Sequence, residues 1–412
     1  MLANGFRRGW GHPVGPWLLL GLAAVVAVRI GLSLDDTLPA LPDARIYRAG
    51  VLTWWSGGDL YTTRLHGGGN PALFTYPPFA LLPLSVLVVF PIGAALLTLG
   101  SVAALYHVLL LVVDRVRPDH PRRHLIAAVA VVCALQLEPV AQTVYWGQVN
   151  ILLLWLVALD CLHRHPRWPR GVLVGLAAAV KLTPLVFVLF FLCRRRFEAA
   201  GWATGVFAAA TAVGFAVAPG ASVDYWTRAV WSADRVGEVS LPGNQSVRGM
   251  LVRLGVPSLW VVAVVVVLAL AGWVVVRSPG VLPAWLATAA IGTLVSPMSW
   301  SHHWVWLAPL LVAAVLSARP ALALPAAAAA VLAPHWVFPA APGSPWWTHV
   351  LGESYTLVAV CMLVVLAWRV RPGEPGVQPP GFGSGLDKAV FSIAPMRQVS
   401  PSRLRLTVRR WV

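Results

Sequence analysis

The chain has 412 residues, 58% of them hydrophobic and only 11% charged, and its mean hydropathy is +0.74. That balance excludes a soluble globular protein, because too little polar surface remains to cover the apolar segments. The net charge of +16 comes from 31 Lys+Arg against 15 Asp+Glu, mostly arginines in short gaps between apolar runs. This pattern orients a membrane protein against anionic headgroups and argues against a nucleic-acid partner.

Residues 1–15 carry Arg7 and Arg8 and are predicted to be a cytoplasmic N-terminus. The apolar run 16–33 lacks a small-residue cleavage site and reads as a retained first helix crossing outward. The large polar loop 35–78 then lies outside, with carboxylates at Asp35, Asp36, Asp43 and Asp59 and aromatics at Tyr47, Trp54, Trp55, Tyr61 and Tyr76. An ordinary connector needs only a few residues, so a loop of this kind is expected to hold a site. The run 79–113 is too long for one straight span and must cross an odd number of times. A surface helix leading into one long span satisfies both conditions, with Pro91 as a possible break.

Residues 125–140 return outward and 147–162 come back to the basic gap HRHPRWPR. Read as one span, 171–193 would place Arg194–Arg196 outside, against the charge rule. Read as two short segments broken at Lys181-Leu182-Thr183-Pro184, it keeps them inside; proline removes a backbone donor and disfavours helix just before it. Runs at 200–218, 258–276, 281–296, 303–317, 321–338 and 352–368 complete about 12 crossings with both ends in the cytoplasm. The segment 219–247 reads as a loop. Residues 371–412 form a Pro/Gly linker and a basic tail, the latter either a strip on anionic lipid or plain disorder. The four cysteines lie far apart in apolar surroundings and read as small core residues.

Every unusual polar motif falls at an outer end of these spans. Asp43 is the leading carboxylate, either a base for a hydroxyl proton or a helix cap paired with Arg45. Tyr76 is presented by the rigid Pro77-Pro78 pair, as a site residue or as part of an aromatic belt. Gln148 and Asn150 open a span and either bind sugar hydroxyls or satisfy free backbone amides. Glu138, just inside the preceding span, needs a partner or a proton. Lys181 is expected to pair with a carboxylate such as Glu138 or to meet a bound anion. Adjacent His302 and His303 make a poor metal site but could donate to phosphate. Neither an HExxH spacing nor a convergent acidic pair is evident, so no metal and no cofactor is expected, with Asp35-Asp36 as the one open case. Asn244-Gln245-Ser246 reads as a polar anchor with Arg248.

With no soluble nucleotide-binding domain in view, these features suit a donor carried on lipid. DARIY (43–47), LYTTRL (60–65), FTYPPFALLPL (74–84), GQVN (147–150), GVLVGLAAAVKLTPLVF (171–187), NQSVRGM (244–250) and SPMSWSHHWVW (296–306) form an ordered set. It resembles the actinobacterial GT-C superfamily glycosyltransferases that use polyprenyl-phosphate-mannose, above all the α-1,2-mannosyltransferases of phosphatidylinositol mannoside and lipomannan assembly. The similarity covers roughly residues 16 to 370.

The resemblance implies an all-α polytopic plasma-membrane enzyme of GT-C type with its site on the extracytoplasmic face. Its partners would be a polyprenyl-phosphate-mannose donor and a mannosylated glycolipid acceptor. It assigns Asp43 as catalytic base and a histidine, His303 or His302, to the donor phosphate; from the residues themselves, Lys181 or a loop arginine such as Arg45 is a further candidate there. Tyr76, Gln148, Asn150 and Glu138 are expected to line the substrate site. A flippase or transporter of a lipid-linked sugar is the alternative, since it would use a similar groove and a broken helix.

Overall fold

The computed structural model describes residues 14–33, 41–67, 71–232 and 235–370. The N-terminus to residue 13, Asp35, Asp36 and the tail 371–412 lie outside them. The described chain is helical, within the compact unit Met1–Gly373, and its only strand-like features are two isolated bridges, Leu65 with Ala72 and Asn244 with Trp300.

Helix α1 (Val14–Ser33) precedes the loop helix α2 (Pro42–Trp55). Leu41, left-handed at φ 57, turns the chain into α2, and Pro42 fills the first position, where its missing N–H costs nothing. Asp43 therefore sits inside the first turn and does not cap it. Short turns at 78–80 and 85–88 flank α3 (Leu81–Leu84) and lead into α4 (Phe90–Val116), which has Pro91 in its first turn. The run 79–113 is thus a series of short turns followed by one long helix.

Helix α5 (Arg123–Ala134) ends before α6 (Glu138–Trp146), and the two are bent by 74°. This corrects the placement of Glu138: it opens a new helix instead of ending the previous one, because Pro139 favours a first-turn position. Helix α7 (Asn150–Leu162) follows after Gly147, then α8 (Val172–Val180), a turn at 183–186 and α9 (Phe187–Cys193). The break falls at Lys181, as proline at 184 predicts. Helix α10 (Phe197–Val217) is followed by α11 (Pro219–Thr227), so the segment read as loop is in part a helix that starts on proline.

The remaining helices are α12 (Val247–Arg253), α13 (Trp260–Arg277), α14 (Val281–Val295), α15 (Leu307–Leu316), α16 (Pro320–Leu332), α17 (Pro334–Val337), α18 (Trp346–Gly352) and α19 (Ser354–Arg369). Helix α4 packs against α5, α7 and α15, α8 against α10, and α13 against α14. Among the described residues three helices are long and apolar enough to cross a membrane, or five if each bent pair is one span. Seven further apolar helices have 10–17 residues. The protein is an all-α polytopic membrane protein.

Candidate active site

The site is assembled where α2, the Tyr76 segment, the start of α7, the break after α8 and the 301–304 turn meet. Gly147 makes the first of these approaches possible. It ends α6 in a left-handed conformation, φ 67, and a Cβ there would lie 2.8 Å from that of Ala44. Glycine meets both demands, and the close contact sets Gln148 beside Asp43.

Asp43 Oδ2 accepts a hydrogen bond from Gln148 Nε2. The other end of the same amide, Oε1, accepts from the Tyr76 hydroxyl at 3.0 Å. Tyr76 is held in turn: its hydroxyl is 2.7 Å from that of Tyr47, and its carbonyl accepts from the Tyr61 hydroxyl at 2.7 Å. Burial pushes the Asp43 carboxyl up to about 6, with the Gln148 hydrogen bond and the charge of Lys181 opposing it. Burial also raises Tyr47 and Tyr76, so both phenols stay protonated donors.

Across from the carboxylate, Lys181 Nζ lies 5.3 Å from the centre of the Tyr76 ring. It donates to Asn150 Oδ1 at 2.9 Å and meets His303 Nε2 at 3.2 Å. Lysine is only a donor, so this imidazole nitrogen accepts and the ring proton belongs on Nδ1. Asn150 Nδ2 and Thr143 Oγ1 both bond the His302 carbonyl at 2.9 Å, which anchors the turn carrying the histidines. Asp43, Lys181 and His303 are half-buried, whereas Tyr76, Gln148, Asn150 and His302 are buried.

Two expected site residues make contacts other than those expected. Arg45 places its guanidinium 4.7 Å from the centre of the Phe90 ring. Glu138 does not pair with Lys181. Its carboxylate accepts from Ser301 Oγ (2.7 Å), Trp336 Nε1 (2.8 Å) and the Tyr355 hydroxyl (2.8 Å), with His335 at 3.8 Å. Those donors lie 163 to 217 residues away in sequence, beyond the reach of any local pattern. Neither His335 nor Tyr355 was singled out from the sequence. No group of three or more His, Cys, Asp or Glu that could hold a metal is present among the described residues.

A cavity of about 210 Å³ lies elsewhere, lined in part by Asp114, Arg115, Arg123, Leu162 and Arg164. Asn150 and Leu162 are the two ends of α7, so this cavity and the Asp43 network are separated by about 18 Å along that helix.

A half-buried carboxylate, the charge of a lysine and an imidazole on that lysine thus meet within a helical membrane protein. The family model of glycosyltransferase family 87 matches residues 74–297. A polyprenol-phosphate-mannose-dependent alpha-(1-2)-phosphatidylinositol mannoside mannosyltransferase of Mycolicibacterium smegmatis is 35% identical over 401 residues, covering 87% of this chain and 91% of the relative. Its counterpart in Mycobacterium tuberculosis is 36% identical over 393 residues, covering 86% and 91%. A pentamannoside mannosyltransferase of M. smegmatis is 35% identical over 252 residues, 59% of this chain and 61% of its own. Among solved structures, ArnT from Cupriavidus metallidurans bound to undecaprenyl phosphate aligns with a TM-score of 0.47 at 15% identity, covering 86% of this chain and 76% of that one. The chain belongs to glycosyltransferase family 87, among the membrane glycosyltransferases of the GT-C superfamily.

Proposed function

We propose that this enzyme transfers mannose, with inversion, from a polyprenyl-phosphate-mannose donor to the 2-hydroxyl of a mannosylated phosphatidylinositol or lipomannan-type acceptor. The product is an α-1,2 link. The names of the three relatives described above give polyprenol-phosphate-mannose-dependent alpha-(1-2) transfer on phosphatidylinositol mannosides, and this supports the reading.

The observation that carries the mechanism is the half-buried Asp43, held by Gln148 on one oxygen and facing Lys181 and His303. The acceptor oxygen attacks C1 of the β-linked mannose while its proton passes to Asp43. The bond from C1 to the phosphate oxygen breaks, and its electron pair leaves with the phosphate. Lys181 and His303 stabilise that charge. Phosphate departs as a stable anion without an acid catalyst, so the second carboxylate of glycoside hydrolysis is unnecessary. Tyr76 and Asn150 hold the ammonium between them.

We place this site on the extracytoplasmic face of the plasma membrane. In this arrangement 16–370 is the transmembrane domain with about 12 crossings, several made by the shorter apolar helices, and 371–412 is a cytoplasmic tail. Loop 35–78 is then the first extracytoplasmic loop, and the arginine-rich gaps face the cytoplasm.

Asp43→Asn tests the base, since it keeps the size and removes the basicity. Mannosyl transfer from synthetic donor is expected to fall by about 10²–10⁴-fold. Donor binding should change little, and Asp59→Asn, in the same loop, should be mild. Near-normal transfer by Asp43→Asn would reject the mechanism. A flippase of lipid-linked sugar would use the same broken helix at Lys181, but it would move the donor across vesicles without forming a glycosidic bond.

A further inference from the structure

Gln148 has the residue type and position of a sugar ligand, yet both ends of its side-chain amide are already engaged by protein. It is 6% exposed, with Nε2 on Asp43 Oδ2 and Oε1 on the Tyr76 hydroxyl. The direction of the chain follows from proton counting. The amide oxygen Oε1 carries no hydrogen, so Tyr76 spends its single hydroxyl proton there. Tyr47, 2.7 Å from the same hydroxyl, must then be the donor to Tyr76. The sequence Tyr47 to Tyr76 to Gln148 to Asp43 thus runs one way, every donor pointing toward the carboxylate. A flipped amide would set its oxygen against the carboxylate oxygen, two acceptors facing each other, which excludes the flip. The Tyr61 hydroxyl on the Tyr76 carbonyl and the 77–78 prolines fix the backbone that carries the middle of the chain.

We infer that Gln148 is the positioning residue of the catalytic base: it occupies Asp43 Oδ2, leaving Oδ1 as the oxygen that takes the acceptor proton. This rests on the reading of Asp43 as the base. No hydrogen bond from the described residues reaches Oδ1. The other ionisable groups near Asp43 have engagements of their own. Lys181 acts on it by charge, Tyr47 and Tyr76 lie in the chain itself, and His303 engages Lys181. On Asp43's own helix Arg45 lies over Phe90, and Arg48 donates to the Val88 carbonyl at 3.2 Å. Gln148 donates a hydrogen bond that is stronger to the ionised carboxylate than to the protonated acid, so it opposes the upward pull of burial and favours the ionised base near neutral pH. The acceptor sugar must then be read by other groups.

The test is the pH profile of transfer by the full-length enzyme in detergent, from pH 5 to 8.5, with synthetic polyprenyl-phosphate-mannose and a mannosylated phosphatidylinositol acceptor. The wild-type acid limb should lie near pH 6. Gln148→Leu removes the donor, so the protonated form of Asp43 persists to higher pH. The acid limb should rise by about one pH unit and kcat should fall by about tenfold or more, with the acceptor KM little changed. Gln148→Glu keeps the shape and places a second carboxylate against Asp43, so its limb should rise further; it decides the matter if the leucine variant is unstable. Tyr76→Phe, which releases the amide oxygen, should shift the limb less in the same direction. Unshifted limbs in Gln148→Leu and Gln148→Glu, with a raised acceptor KM and retained kcat, would overturn the inference and make Gln148 a sugar ligand. Asp43→Asn separates the two levels: an active Asp43→Asn removes the base itself, whereas an inactive one with unshifted Gln148 variants removes only the positioning role.

Discussion

The doubled histidine at 302–303 is resolved into two different environments. His302 is 8% exposed, its carbonyl is bonded by Thr143 and Asn150, and its Nε2 is buried without a hydrogen-bond partner among the described residues. His303 is half-buried and reaches Lys181. Removing His303 should weaken stabilisation of the departing phosphate by about 1–3 kcal/mol, read as kcat/KM for the donor. His302→Ala should leave turnover closer to normal and lower the thermal midpoint, because it empties a packed position beneath the turn. Equal, near-normal turnover in both folded variants would exclude a direct phosphate role for either. Candidates such as Asp43, Tyr76, Gln148, Lys181 and His303 were legible because polar side chains in an apolar chain stand out singly. Their partners were not. Of the two readings of Lys181, pairing with a carboxylate such as Glu138 or meeting a bound anion, the pairing with Glu138 does not occur: Asn150 and His303 hold it, because a choice among residues more than 30 positions apart depends on packing that no local pattern encodes.

At the level of elements, backbone chemistry was the readable part. Pro184 marked the break after α8, and Pro91 the start of α4, since each lacks a donor the helix interior requires. The bend at Glu138-Pro139 escaped because the apolar run continues through it. The Asn244-Gln245-Ser246 motif does anchor its surroundings: Asn244 Oδ1 accepts from the Ser299 amide at 2.9 Å, and Gln245 N donates to the Ser299 carbonyl at 2.8 Å. Its charged partner is not Arg248, which lies over Trp260, but Arg253. Arg253 bonds the Asn244 carbonyl at 2.9 Å and forms a buried ion pair with Glu353 at the start of α19. The pair thus joins two elements to the segment that supports the histidine turn. Glu353→Ala strands a guanidinium in a dry setting and should lower stability by about 3–5 kcal/mol, measured by unfolding in detergent. The double change Arg253→Met with Glu353→Leu should recover much of that loss. Equal destabilisation in single and double variants would show that packing, not the stranded charge, dominates.

For the whole molecule, hydropathy identified the class far better than the number of crossings. Helices of 10–17 residues are too short to be recognised as spans by length alone, so the count of about 12 crossings rests on the proposed arrangement in which neighbours complete their backbone surroundings. Charge distribution is the stronger guide to sidedness. Arg115, Arg123 and Arg164 gather around the end of α7 at Leu162, while the Asp43 network gathers at the Asn150 end. If α7 crosses the membrane, the two clusters face opposite compartments, and the positive-inside rule assigns the arginines to the cytoplasm. Single cysteines make this measurable. Cys133 and Cys361 are exposed in the isolated chain and must be replaced first. Asp59→Cys reports on the loop that carries Asp43, and Leu241→Cys on the segment bridged to Trp300; both positions are exposed, as is Arg164. A membrane-impermeant maleimide applied to intact cells should label positions 59 and 241, and reach Arg164→Cys only after permeabilisation. Labelling of 59 and 241 from opposite sides would break the site apart, since the proposed mechanism needs the Asp43 loop and the histidine turn on one aqueous face. Labelling of all three from outside would leave the chemistry standing and overturn the charge-based topology.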